Sequence, residues 1–396
     1  MKSMFLRVGV IGSGGRGRHL AGIVHRSGAR ARIVACCDLN ADVLAQNRVE
    51  FGGDVVVTRS YTELLGVDLD AVIIATPDYL HEEQAVAALQ HGLTVYLEKP
   101  MALTVPGCDR ILAAAAKTRA KLYLGHNMRH MPFVRKMKAL ITRGAIGEVK
   151  ACWVRHFVGH GGDFYFRDWH AERRYSTGLL LQKAAHDIDV IHWLCGGYTR
   201  HVAGMGALSL YGGLGQRLPA VKGPRAGVKG CTLDAWPPTS ARGLNHRIDV
   251  EDLSSMMMRL DNGVQATYSQ CHYTPDYWRS YTVIGTGGRM ENFGNGEAGT
   301  VIRVWNKRSS GYRAEADRTY RVRPGDGGHG GADPRIMEEF IRYARYGGET
   351  TTSPLAARES VATGCRATES LRGGGATLSV PRVQGRIAAY FADGRG

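Results

Sequence analysis

No apolar stretch in this 396-residue chain approaches the roughly 20 residues needed to span a bilayer, which excludes a helical membrane protein. Met1 to Arg7 is too short for a signal peptide ahead of the strand that begins near Val8, so a cytoplasmic location is the expectation. The eight cysteines contain no C-x-x-C pair and no metal-ligand spacing. Reduced, buried thiols and no metal are therefore expected. Basic residues never gather into a block. The net charge of +15, from 51 Lys+Arg against 36 Asp+Glu, comes mainly from scattered arginines, whereas nucleic-acid binders concentrate charge on one face. Neither nucleic acid nor membrane is an expected partner, although a positive field favours an anionic cofactor or an acidic substrate. Internal repeats are also missing.

What is present is an ordinary globular balance, 44% hydrophobic and 22% charged, in a chain long enough for two domains. Over the first 125 residues short β-branched runs alternate with amphipathic segments. The pattern predicts strands at 6–11, 32–38, 71–75, 93–97 and 121–125, and helices at 15–27, 41–50, 61–65, 80–91 and 104–118. Such alternation signals an α/β, doubly wound parallel sheet. The texture then changes: a helix at 132–143, a strand at 148–157, a glycine- and aromatic-rich loop at 160–175 and a helix at 178–194. Strands follow at 201–210, 253–260, 263–272, 279–285, 299–306 and 318–323, with a hairpin turn at Asp261-Asn262-Gly263. Together these predict a large open, mainly antiparallel sheet, one face under helices and the other free for a partner subunit. Segment 211–248, rich in Gly, Pro and basic residues, reads as a lid or mobile surface. Helices return at 333–346 and 354–371. The division expected is 1–125 and 126–396, with the C-terminal helices free to pack back on the first domain.

Two motifs carry the chemistry. Gly12-Ser13-Gly14-Gly15-Arg16-Gly17 follows the apolar run ending at Ile11. In this G-x-G-x-x-G pattern, Gly12 makes the tight turn, Gly14 lets a pyrophosphate reach the backbone, and Gly17 packs helix on strand. Gly15 and Arg16 open the helix whose N-terminus meets the phosphates. Asp38 ends the second strand, placed to accept from ribose hydroxyls and to repel a 2′-phosphate. NAD is thus expected over NADP. The second motif, Glu98-Lys99-Pro100, ends a later strand, where ligands of doubly wound sheets bind. A lysine there can donate to a substrate hydroxyl before hydride leaves.

With these motifs the chain resembles the Gfo/Idh/MocA oxidoreductases, the group of glucose–fructose oxidoreductase and inositol 2-dehydrogenase. The resemblance rests on the fingerprint, Ala75-Thr76-Pro77…His81, Glu98-Lys99-Pro100, Asn127…Arg129, the run Gly178 to Asp189, and Val283-Ile284-Gly285-Thr286. It implies a Rossmann domain, a C-terminal α/β domain with an open sheet, bound NAD(P), action on sugars, cyclitols or their derivatives, and homodimers or homotetramers. It also implies cofactor contacts from Thr76, Pro77, His81, Glu98, Lys99 and Asn127, and substrate contacts from Arg129, Gln182 and Asp187. Lys99 matches the family's catalytic lysine and His186 the histidine of its Asp-x-x-x-His motif. The aspartate position holds Gln182, which hydrogen-bonds but takes no proton. Lys183, expected on one helix face with His186, Asp187 and Val190, is either a replacement catalytic group or a solvated lysine paired with Asp187.

The loop Phe164 to His170 offers Arg167, Trp169 and His170 as substrate contacts, or as rings packed under the sheet. In Gly327 to Pro334, Asp333 is expected to cap a helix, the other reading being that the loop brings His329 to the site. The first functional expectation is hydride transfer between NAD and a polyol alcohol. The second is an NAD-dependent glycosidase acting by transient oxidation, elimination and water addition. A dinucleotide-holding regulator is a third, opposed by the retention of Lys99 and His186.

Overall fold

The computed structural model describes residues 5–225 and 236–392. The chain divides into two compact units, Met1–His130 with Asp326–Val361 and Val383–Gly396, and Met131–Gly325 with Ala362–Arg382.

In the first unit, in chain order, are β1 (Leu6–Ile11), α1 (Gly15–Arg26), β2 (Ala31–Cys37), α2 (Ala41–Phe51), β3 (Val56–Thr58), α3 (Tyr61–Leu65), β4 (Ala71–Ile74), α4 (His81–Gln90), β5 (Thr94–Leu97), α5 (Val105–Thr118) and β6 (Leu122–Leu124). All strands run parallel in the order β3-β2-β1-β4-β5-β6. This is the doubly wound order, with its switch point between β1 and β4. β4 and β5 are buried at every residue, as strands covered on both faces must be. Side chains start the helices: Asn40 accepts from Asp42 N and Thr104 from Gly107 N, satisfying amides that have no partner within the helix.

The second unit holds α6 (Pro132–Thr142), β7 (Val149–Val158), α7 (Gly161–Phe164), α8 (Arg173–Ser176), α9 (Leu179–Gln182), α10 (Ala185–Cys195), β8 (Thr199–Ala207), β9 (Leu253–Leu260), β10 (Gln265–Cys271), β11 (Tyr277–Gly285), β12 (Gly288–Phe293), β13 (Val301–Trp305) and β14 (Arg318–Arg321). After these come α11 (Gly328–Tyr346) and α13 (Gly385–Ala392), both of the first unit, with α12 (Pro354–Arg372) and β15 (Leu378–Ser379) between them in the chain. α11 lays Phe340 against Tyr96 and Tyr123, with ring centroids 5.3 and 5.7 Å apart.

The second sheet has nine strands in the order β14-β13-β12-β11-β7-β10-β9-β8-β15. Only β7 and β10 pair in parallel. The β9–β10 turn is the expected hairpin, with Gly263 at φ +84 and Leu260 N donating to Val264 O. One face buries Val154, Met256, Met258 and Tyr268, while Trp153, Met205 and Met257 on the other face are exposed.

Three expectations are corrected. The helix over 178–194 is two helices, because Lys183 N and Ala184 N both bond back to Leu179 O at 3.1 Å. That shared acceptor breaks the regular ladder, so Lys183 precedes the helix that carries His186, Asp187 and Val190. The loop at 160–175 contains the turns α7 and α8. Within segment 211–248, the described parts are pinned rather than loose. Leu218 N bonds Leu244 O, Asn245 N bonds Phe166 O, and Tyr211, Ala241 and Leu244 join a buried cluster with Val158 and Phe166. Residues 226–235 of that segment lie outside the described residues.

Candidate active site

Two groups of side chains, one in each unit, carry the candidate chemistry. In the first unit the site starts at the turn after β1. Gly12 stands at φ +80, and a Cβ there would lie 2.7 Å from Thr76 N; a Cβ on Gly17 would lie 2.0 Å from Gly12 O. Neither position accepts a side chain. Ser13, fully buried, is held by Asn47 Nδ2 at 2.6 Å. A Cβ on Gly15 would meet nothing within 4 Å, and no side chain caps α1, so its first amides have no side-chain acceptor, an arrangement suited to an anion. Asp38 follows β2 with Oδ1 accepting from Asn40 N, while its Oδ2 lies 3.4 Å from a Cβ placed on Gly14. These residues fit a dinucleotide: cradle, helix N-terminus and ribose acceptor are all present.

The loops after β4 and β5 lie on the same edge of the sheet. Thr76 Oγ1 donates to Gln84 at 2.6 Å. His81, expected to touch cofactor, is fully buried between backbone carbonyls, Nδ1 at 2.7 Å from Pro100 O and Nε2 at 3.0 Å from Thr76 O. It ties the two loops together. Glu98 accepts Arg16 Nε at 2.7 Å and Lys99 N at 3.1 Å. Burial alone would raise the Glu98 carboxyl, but the Arg16 guanidinium outweighs it and holds the group below the usual range. Arg16 therefore spends its side chain on protein carboxylates, and only its backbone remains for a cofactor. Asn127 donates to Asp333 Oδ1 at 3.0 Å and Arg129 to Thr351 O at 2.8 Å. Asp333 does not cap α11. Its carboxylate is buried against Arg16, His19, Asn127 and His329.

In the second unit Gln182 and His186 are nearly buried, at 4% and 8% exposure. Lys183 Nζ lies 3.4 Å from Tyr277 Oη and over the rings of Tyr165 and Tyr277 at 5.3 and 5.5 Å. Asp187 was expected to touch substrate. It is fully buried, 3.2 Å from Arg279 Nε and 3.3 Å from His156 Nδ1, with the Tyr268 and Tyr281 hydroxyls donating to it. Trp169 stacks on His170 with centroids 3.7 Å apart, and His170 Nδ1 meets Asp168 Oδ1 at 2.5 Å. Both rings are packed at 7% and 6% exposure, while Arg167 is half-buried. Among the described residues no group of His, Cys, Asp and Glu is arranged to hold a metal ion. Among the described residues no helix is long and apolar enough to cross a membrane.

The family model described as an oxidoreductase family with an NAD-binding Rossmann fold matches residues 6–126, and the GFO/IDH/MocA C-terminal domain matches residues 134–291. The chain belongs to the Gfo/Idh/MocA oxidoreductase family. Its cofactor is accordingly NAD. Among relatives, YteT of Bacillus subtilis (strain 168) is 29% identical over 307 residues, covering 69% of this chain and 72% of that one. The 2,7-anhydro-N-acetylneuraminate hydratase of Mediterraneibacter gnavus is 33% identical, covering 49% of this chain and 50% of its own. Inositol 2-dehydrogenase 1 of Saccharopolyspora erythraea is 32% identical, covering 48% and 55%. The chain thus spans about half the length of the last two. The structure of levoglucosan dehydrogenase with NADH and L-sorbose superposes with a TM-score of 0.77 at 19% identity, covering 96% of this chain and 99% of that one. Its fold is the same.

Sequence reasoning missed Arg279, His156, Tyr268 and Tyr281 around Asp187. Their separations from it in the chain, 92 residues for Arg279 and 94 for Tyr281, leave no local signal. It had marked Asp333, but for a different task.

Proposed function

We propose that this Gfo/Idh/MocA protein moves hydride between NAD and a secondary alcohol or ketone of a sugar, cyclitol or related polyol. The observation that carries this reading is the place of Lys99. It follows Glu98 just past the end of β5, and β5 pairs with β4, after which Ala75 and Thr76 wall the glycine turn. NAD supplies the hydride acceptor or donor when bound. Lys99 would donate to the reacting oxygen, favouring alkoxide character there, while Glu98 fixes the Lys99 backbone. His186 would act as general base in oxidation and general acid in reduction. Lys183, held between two tyrosine rings, would supply a neighbouring positive charge. Arg129, Arg167, Trp169, His170 and Gln182 are the proposed substrate contacts. Lys99 belongs to the first unit and His186 to the second. The relative named inositol 2-dehydrogenase 1 supports the substrate class.

The test is Lys99→Ala, assayed by NADH formation across a polyol panel. Turnover should fall about 10³-fold while the NADH dissociation constant stays within about twofold. Normal turnover by this variant would remove the assignment.

A second reading keeps NAD but ends without net redox change: transient oxidation, elimination, then water addition. Gln182 in place of the family's aspartate and the relative named as a hydratase favour keeping it. Incubation of a glycoside panel with catalytic NAD separates the two. Product release without accumulated NADH supports this reading, and accumulating NADH the first.

For partners we propose a second copy of the chain, seated on the sheet face that exposes Trp153 and Met257.

A further inference from the structure

The Gly327–Pro334 motif finds its use in a charged relay inside the first unit. Arg16, between the last two glycines of the fingerprint, has its guanidinium committed at both ends. Nε donates to Glu98 Oε1 at 2.7 Å, while Nη1 and Nη2 donate to Asp333 Oδ2 and Oδ1 at 2.7 and 3.0 Å. The second contact is a two-pronged fork, the arrangement that fixes orientation as well as distance. The other oxygen of Glu98 accepts Lys99 N at 3.1 Å. A continuous path therefore runs from the α11 segment, through a fingerprint residue, to the backbone of the candidate catalytic lysine.

Asp333 is built for this. It has no exposed surface, yet four donors converge on it: Arg16, Asn127 Nδ2 at 3.0 Å, His19 Nε2 at 3.0 Å and His329 Nδ1 at 2.8 Å. A buried carboxylate is tolerated only when so satisfied. Glycine makes the approach possible: His329, Gly330 and Gly331 all have positive φ, and a Cβ on Gly328 would lie 2.4 Å from Asp333 Oδ2 and 2.7 Å from His19 Nε2.

We propose that Asp333 is a positioning residue, which by forking Arg16 fixes the glycine turn and the Glu98–Lys99 peptide relative to each other. Without it Arg16 keeps one of three bonds, its long side chain regains rotamer freedom, and the cradle and the lysine lose their common strut. The lysine half of this inference rests on the function proposed above; the cradle half does not.

The experiment is a fluorescence titration of the full-length protein with NADH, with steady-state kinetics beside it. D333N should raise the NADH dissociation constant about tenfold, as expected for losing a charge-assisted fork, and lower kcat while moving the polyol KM by less than about twofold. A merely structural role would reduce the number of binding sites per chain and leave their affinity unchanged. Paired with Arg16→Gln, the double variant should bind no more weakly than the worse single one, because both cut the same strut. If D333N does not fold, D333E keeps the charge and displaces the fork by one methylene, and a rise of about threefold is expected. A wild-type dissociation constant in whichever variant folds overturns the proposal. If the wild-type protein turns over no polyol, the reading of Lys99 falls, and the NADH titration still decides the role of Asp333.

Discussion

Asp187 and Arg279 meet at 3.2 Å with side-chain exposures of 0% and 7%. The pair sits on the covered face of the nine-stranded sheet, beside the Tyr268 and Tyr281 hydroxyls. Removing one partner strands the other. Arg279→Ala should cost about 3–5 kcal/mol of unfolding free energy, whereas replacing both residues by leucine and methionine should cost much less. Urea denaturation of the three proteins checks the ordering, and equal losses for single and double variants would contradict it.

His156 gives the same cluster a pH signature. Burial, reinforced by the Arg279 charge, pushes its imidazole down to about 3. The unfolded chain titrates near pH 6.5, so protons bind the unfolded state first. This contribution to stability is complete above about pH 6.5 and is lost as the pH falls toward 3, at about 1.4 kcal/mol per unit. Asp187, held below its usual range against burial by Arg279 and His156, adds a loss in the same direction at lower pH. The denaturation midpoint should therefore drop between pH 7 and 5, and His156→Gln should flatten that slope. An unchanged slope in the variant would place the acid sensitivity elsewhere.

The sequence made the first sheet almost fully legible, because its strands are continuous apolar runs and its turns are glycine or capping residues with one backbone task each. β3 and β12 escaped. Val56–Thr58 is three residues long, and Gly-Arg-Met-Glu-Asn-Phe over β12 offers little β-propensity. The chemistry divided in the same way. Gly12, Asp38 and Lys99 announce themselves by position after a strand, whereas Asp333 reads as a helix cap until Arg16, 317 residues away, turns it inward. At His81 and Asp187 the motif marks a constrained residue, and only the structure supplies the protein groups that hold it.

Asp38 should decide the cofactor. Its carboxylate stands at the end of β2, beside Gly14, where it can accept from both ribose hydroxyls and oppose a 2′-phosphate. Asp38→Ala should weaken NAD binding about tenfold, the worth of a charge-assisted hydrogen bond, and relieve the repulsion toward NADP. The ratio of kcat/KM for NAD to that for NADP should fall by more than the NAD loss alone. Selectivity unchanged in this variant would assign discrimination to another residue.

The uncovered face of the second sheet makes its own prediction. Trp153 and Met257 both pair with Thr267 across adjacent strands, so the three side chains form one row, with Trp153 54% and Met257 63% exposed. Met205 extends the apolar surface at 71%, and Arg155 and Arg259 flank it. Contiguous apolar surface rimmed by polar groups marks an interface, and a two-fold axis through a sheet face makes that interface self-complementary. Light scattering at tens of micromolar protein, a range chosen to populate a stable dimer, should give a multiple of the 43.1 kDa chain mass. Met257→Lys with Trp153→Lys should return it to a single chain mass, because two new charges at the centre of the row meet their own copies across the axis. Both positions lie on the surface, so unfolding of the separated chain should change by only about 0.5 kcal/mol. A wild-type protein that runs at one chain mass under these conditions would leave this face without a second copy.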